Sequence, residues 1–146
     1  VGQYIQGAVE TNLPGITLSL TNIPKNNRIA KGKSGEFQII LGGWNAIIPD
    51  PINIMDFAHS KTVFNYGGYN NAEVDRLLDA AENEDANAIA QRFEDIHAAE
   101  KIYMDELGVA PLYHSSEAFL WNPNVKGIVR HSVGARYDFK NAYIVE

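Results

Sequence analysis

Between Tyr4 and Leu13 the apolar residues Ile5, Ala8, Val9 and Leu13 recur at the spacing of one helical face, and Pro14-Gly15 ends the stripe. Residues 16–21 then alternate, with Ile16, Leu18 and Leu20 set against Thr17, Ser19 and Thr21, the period of a half-buried strand. Residues 23–35 are polar and contain a glycine, which predicts a loop with room for one helical turn. The run "EFQIIL", 36–41, predicts a short buried strand. From 42 to 71 the pattern loses regularity and carries Gly42, Gly43, Pro49, Pro51, Gly67 and Gly68. A connection of that length inside a compact domain is uncommon unless it is functional.

Helical periodicity returns in "NNAEVDRLLDAAE", with Asn71 as the expected N-cap and Val74, Leu77, Leu78 and Ala81 as the buried stripe. A longer helix follows. Asp85 is its expected cap, Ile89, Phe93, Ile96 and Tyr103 mark its face, and Gly108 stands where a C-terminal cap belongs. "VAPLYH" and "EAFLW" predict two strands around Ser115-Ser116. "NPNVKG" predicts a turn, "IVRHSV" a further strand and "YDFKNAYIV" a last one. Helices alternating with strands early and hairpin-like pairs late predict an α/β fold with a mixed sheet flanked by helices.

Composition narrows the function classes. A chain of 146 residues with 45% hydrophobic and 21% charged side chains is that of a globular domain able to bury a core. The net charge of −6 argues against nucleic acid and against anionic membrane surfaces, which need basic patches; the one basic cluster is "PKNNRIAKGK". No apolar run reaches the length a bilayer requires, so no direct membrane insertion is expected. With no cysteine, disulfides, thiolate nucleophiles and zinc-thiolate sites are excluded. The chain opens inside the helical pattern "VGQYIQGAVETNL" with neither initiator methionine nor signal peptide, which suggests a piece of a longer polypeptide.

The candidate chemistry is sparse. Gly32-Lys33-Ser34 shares letters with a phosphate-binding loop, but the glycine required five residues earlier is Asn27 and a strand is expected after the serine. Among His59, His97, His114 and His131, only His97 has a ligand-like neighbour, Glu100 one turn away, and an exposed ion pair explains that spacing better than zinc. There is no nucleophile elbow, and Asp79, Glu82, Glu84 and Glu94 read as solvated helix faces. An acid–base pair among Asp50, Asp56 and Asp75 is not favoured by any spacing. The expectation is a protein that is not an enzyme, with no catalytic residue, no metal and no cofactor.

What remains is "LGGWNAIIPDP", 41–51, where a tryptophan follows two glycines just past an expected strand end. Trp44 could plug a core gap. Two permissive residues before it, the strand-end position where open α/β sheets hold ligands, and a second aromatic-flanked Gly-Gly in "NYGGYNN" favour a ligand-facing role instead.

The collinear series of Gly-Gly-Trp, Asp-Pro, "NYGGYNNAEVDRLLDAA", "RFEDIHAAEKIYMDE", "VAPLYH" and "NPNVKG" resembles the C-terminal portion of the oligopeptide-binding subunits of ABC importers, solute-binding protein family 5. The resemblance covers essentially the whole chain. It implies one lobe of a type II periplasmic-binding fold, with residues 1–146 as the C-terminal lobe portion of a bilobal protein. It also implies capture of an extended oligopeptide between two lobes, mainly through main-chain hydrogen bonds, and delivery to a membrane permease. The location implied is the periplasm or the extracellular face of the cell membrane, with a lipid on an upstream cysteine as the anchor. The same fold with a nickel chelate, a sugar or a signalling peptide is the alternative; a hydrolase using Asp50, Asp56 or His59 is a more distant one.

Carried onto this chain, the ligand-lining segment is Gly43, Trp44, Asn45, Ala46 and Ile47, with Tyr66 and His114 as further candidates. Asp50-Pro51 matches a turn in which the aspartate fixes the loop, and Tyr69 and Asp75 match structural positions. One departure stands out. Many relatives carry an aspartate where this chain has Ile47, and that aspartate receives the peptide's amino terminus. An apolar side chain cannot hold an ammonium group. The expectation is therefore a peptide with overhanging ends, another carboxylate such as Asp50, or a different ligand.

Overall fold

The computed structural model describes all 146 residues and divides into two compact units, Val1–Gly43 and Trp44–Glu146. In the first unit, helix α1 spans Gly2–Asn12, as its stripe predicts. The run 16–21 expected as a strand has no ladder partner. Its Leu18 is held instead by α1 side chains: Gln6 Nε2 donates to the Leu18 carbonyl at 2.6 Å and the Leu18 N–H donates to Glu10 Oε1 at 3.0 Å. Of the alternating apolar residues only Leu18 is half-buried, Ile16 and Leu20 being exposed, and a ladder needs a second backbone at hydrogen-bonding distance.

The expected loop over 23–35 is a helix, α2, Lys25–Ser34. It lacks an apolar stripe, which is why periodicity missed it, and its ends define it. Pro24 precedes the first turn, Lys31 and Lys33 sit in the last turn, and Gly35 at φ 71° closes it with its N–H on the Lys31 carbonyl. The run 36–41 beyond it forms no ladder either, and Arg28 Nη1 donates to the carbonyl of Leu41 at 2.6 Å.

The second unit is built on a helical hairpin. A short helix α3, Ile52–Met55, runs into a 3₁₀ turn, Asp56–Ala58; α4 spans Ala72–Glu82 and α5 Ile89–Asp105. Val74, Leu77, Leu78 and Ala81 of α4 bury against Ile96, Ala99 and Tyr103 of α5, with Ile52, Met55 and Ala58 closing the core. Asn71 caps α4, its side chain accepting from the N–H groups of Glu73 and Val74, as expected.

Two expectations for α5 are corrected. Asp85 does not cap it: the N-cap is Ala88, which carries no capping side chain. Ile89 and Phe93 are exposed, and the buried face is Asp95, Ile96, Ala99 and Tyr103. The actual start lies three residues later than the sequence suggested. At the other end Leu107 takes the left-handed conformation, φ 56°, and the N–H of Gly108 reaches the Tyr103 carbonyl at 2.9 Å. Gly108 is needed for closeness rather than φ, since a Cβ there would lie 2.1 Å from the Tyr103 ring.

The α/β character holds, with a smaller sheet than the patterning predicts. Strands β1, Val125–Lys126, and β4, Tyr143–Ile144, pair antiparallel, as do β2, Val129–Arg130, and β3, Tyr137–Asp138. The runs 109–114 and 117–121 are exposed and unladdered; side chains tether the second, with Glu117 paired to Arg136 and Arg130 lying 4.4 Å above the Phe119 ring.

Candidate functional site

Trp44 opens the second unit. Its indole ring packs edge-on against Phe64 at 4.6 Å and Phe57 at 6.2 Å. Phe57 in turn lies 6.1 Å from Tyr103, whose ring meets Tyr69 at 4.8 Å. A row of aromatics thus joins the irregular segment to the core. The tryptophan is not a core plug: 37% of its surface stays open, and Ile47 beside it is 70% exposed. The concavity of about 510 Å³ lined by Pro49, Asp50, Pro51, Arg92 and Phe93 does not include it. Residues 44–47 form an open rim.

Asn53, on α3, fixes that rim. Its carbonyl accepts the indole N–H at 2.9 Å and its Oδ1 accepts the N–H of Ile47 at 2.7 Å. Gly134 donates its N–H to the Ala46 carbonyl at 3.3 Å. Neither Asn53 nor the two phenylalanines was singled out by the sequence. Asn-x-x-Asp-Phe within a proline-bounded segment was the available signal, and it does not disclose its partner.

The loop that carries Phe64 is equally tied down. Asn65 clamps the Gly67-Gly68 turn through both of its amide atoms, to the Tyr69 N–H at 2.9 Å and the Tyr69 carbonyl at 2.6 Å, and Gly68 adopts φ 65°. Tyr69 donates its hydroxyl to Glu106 at 2.7 Å, and burial followed by that bond pushes its phenol up to about 12. Tyr66 is half-buried in this loop. His114 is exposed on the run 109–114 and makes no hydrogen bond to the Trp44 group, while Gly43 ends the first unit. Trp44, Asn45, Ala46 and Ile47 are brought together as a rim; Tyr66 and His114 are not tied to it by any polar contact.

Asp50 and Asp75 are engaged structurally, while Asp56 makes no side-chain hydrogen bond or ion pair. Asp50 Oδ1 accepts from the Ile52 N–H at 3.0 Å and from Arg92 Nη2 at 2.9 Å. Burial alone would raise its pKa, but these two partners outweigh it and hold the carboxyl below its ordinary range. Asp50 Oδ1 thus holds the first N–H of α3 and a cation of its own, Arg92. Asp75 accepts from the Ser60 N–H at 2.8 Å and from the Ser60 hydroxyl, which outweigh burial and lower its pKa.

His59 Nδ1 accepts from the Lys61 N–H at 3.1 Å, and Nε2 faces Asp79 Oδ1 at 3.3 Å. Ser60 therefore gives its hydroxyl to Asp75 and not to His59, so these neighbours do not form a nucleophile–base pair. No group of three or more His, Asp or Glu side chains is placed to hold a metal ion. The arrangement is a fixed aromatic surface beside unpaired backbone.

Helices packed on one another beside short antiparallel ribbons, with an open rim, are the parts of a partial α/β lobe. Over nearly its whole length the chain is similar to part of the oligopeptide- and dipeptide-binding proteins of ABC transporters, as expected of a fragment of a solute-binding protein of family 5. The oligopeptide-binding protein OppA of Bacillus subtilis (strain 168) is 33% identical over 144 residues, 98% of this chain and 26% of that protein. The substrate-binding domain of an oligopeptide ABC transporter from Bacillus anthracis str. Ames superimposes with a TM-score of 0.86 at 27% identity, over 99% of this chain and 28% of that one. The pheromone receptor PrgZ, solved for its mode of peptide binding, gives a TM-score of 0.84 at 30% identity, over 99% of this chain and 27% of that one. The chain spans about a quarter of the length of the relatives it matches. No protein-family model matches it.

Proposed function

We propose that residues 1–146 are the C-terminal lobe portion of a bilobal solute-binding protein that captures oligopeptides and passes them to the permease of an ABC importer. Gly43, Trp44, Asn45, Ala46 and Ile47 form this lobe's share of the ligand wall, with Tyr66 and His114 as outlying contributors. The protein acts outside the cell membrane or in the periplasm, held by a lipid attached outside these residues, and performs no chemical step. The observation that carries the reading is a rim of exposed Trp44 and unpaired backbone in a chain 33% identical to an oligopeptide-binding protein over 98% of its length.

Main-chain pairing explains why one wall accepts many sequences, since every peptide presents the same backbone. Ile47 leaves no carboxylate at its position, and Asp50 is committed to Arg92. The peptides favoured are those whose amino terminus is held elsewhere or extends past this rim. The likeness to a pheromone receptor favours a narrower form of the same reading, in which the peptide is a signal.

The test is to incubate the bilobal protein with a peptide mixture and weigh what is retained. Peptides of several residues are expected, and Trp44→Ala should lower their affinity about 30-fold, the loss typical of a central aromatic anchor. A retained sugar or metal chelate, or no retained peptide, overturns the proposal.

A further inference from the structure

The peptide units of the rim are not equivalent. The unit joining Ala46 to Ile47 is closed at both ends, its carbonyl taken by the Gly134 N–H at 3.3 Å and its N–H by Asn53 Oδ1 at 2.7 Å. The two units before it, Trp44–Asn45 and Asn45–Ala46, have no hydrogen-bond partner within the chain on either side. Both the N–H and the carbonyl of Asn45 therefore stay open, the arrangement one residue needs to exchange a pair of bonds with an opposed strand.

Asn53 is placed to impose this difference. It is half-buried as the second residue of α3, whose start is fixed by the Asp50 cap and the Arg92 ion pair. From there its carbonyl holds the indole of Trp44 while its side chain closes the next unit but one. One residue thereby sets both the aromatic surface and the point at which main-chain pairing must stop.

We propose that Asn53 is the positioning residue of the rim, ending main-chain pairing with a bound peptide at the unit that joins Asn45 to Ala46 and so fixing the peptide's register against Trp44. This rests on the peptide-binding reading above. Asn53 touches no ligand atom; it acts by removing the Ile47 N–H from the set a ligand can reach. Asparagine and aspartate both supply the required acceptor, whereas alanine does not.

Amide exchange in the unaltered bilobal protein, with hexaalanine as the probe, provides the first test. Ile47 should exchange slowly with and without the peptide, while Asn45 and Ala46 should exchange fast alone and slow when it is added. Ile47 exchanging as fast as Asn45 in the unliganded protein overturns the inference and leaves the peptide reading standing. Failure of hexaalanine to slow any rim amide overturns the peptide reading, and this inference with it.

The second test scans hexaalanine with single ester replacements, each removing one N–H. Asn53→Ala frees the Ile47 N–H for the peptide, so it should move the positions at which an ester is harmful and shift hexaalanine affinity about fivefold, the size of one hydrogen bond. Asn53→Asp should restore both affinity and pattern. A uniform loss in Asn53→Ala with an unchanged ester pattern marks a merely structural role and overturns the proposal.

Discussion

Replacing Asp50 by alanine separates two roles that one carboxylate could play in this segment. In the structure Asp50 Oδ1 caps α3 through the Ile52 N–H and meets Arg92 Nη2, with side chains 30% and 14% exposed respectively. Alanine removes a charge-assisted bond and a cap together, and leaves the guanidinium with the Ala81 carbonyl as its remaining partner. A hydrogen bond to a charged group contributes about 1.5–3 kcal/mol and a cap about 1 kcal/mol, and water reaching the partly open pair trims the sum. The expected loss is about 2–3 kcal/mol, read as a lower urea midpoint at unchanged slope.

Asparagine, which keeps one acceptor oxygen, should lose roughly half of that. The pH dependence has a definite sign. Because the folded pKa lies below the unfolded one, the contribution is fully present above the ordinary carboxylate range and disappears as pH falls through the lowered folded value. The difference between wild type and Asp50→Ala should therefore narrow in acid. In ligand binding, Asp50→Asn should leave peptide affinity within about twofold, since its carboxylate is committed to Arg92. A stability loss below about 0.5 kcal/mol, within the range of an ordinary surface substitution, would refute the capping account. A large, selective loss of affinity for peptides with free amino termini would show that Asp50 receives the ammonium group.

Two further expectations follow from the α4–α5 hairpin. Leu107→Gly should raise stability by about 1 kcal/mol, because a left-handed residue that is 78% exposed gains backbone ease and gives up little buried surface; an unchanged or lower melting temperature counts against it. Asp85 has its pKa raised, first by burial and then by the neighbouring carboxylate of Asp95, whose Oδ2 is buried without a partner. Its favourable contribution is present below the unfolded pKa and lost as pH rises through the folded value. Asp85→Asn should accordingly stabilise the protein at neutral pH and flatten that acid-side fall, and equal urea midpoints for the two proteins at pH 7 would contradict it.

Several elements could be read directly from residue order. Helix α4 is one: Asn71 and the spacing of Val74, Leu77, Leu78 and Ala81 are local facts, and any neighbour offering an apolar surface would bury the same stripe. The likeness to peptide-binding proteins was legible in the same way, as an ordered series of short segments. Helix α2 was not, because its ends and not a stripe define it. Nor was the true start of α5, where Ala88 offers no capping side chain to recognise.

At the rim the sequence by itself determined that a tryptophan would stand on permissive backbone, with an apolar residue at 47 in place of a carboxylate. Tertiary structure decided the rest: that Asn53 takes the Ile47 N–H, that Gly134 takes the Ala46 carbonyl from 88 residues further along the chain, and that Asp50 is spent on Arg92. Hydrophobic spacing is a property of neighbours in sequence, so periodicity reports it. The choice of a hydrogen-bond partner depends on which distant groups arrive within about 3 Å at the right angle, and only the folded chain sets that.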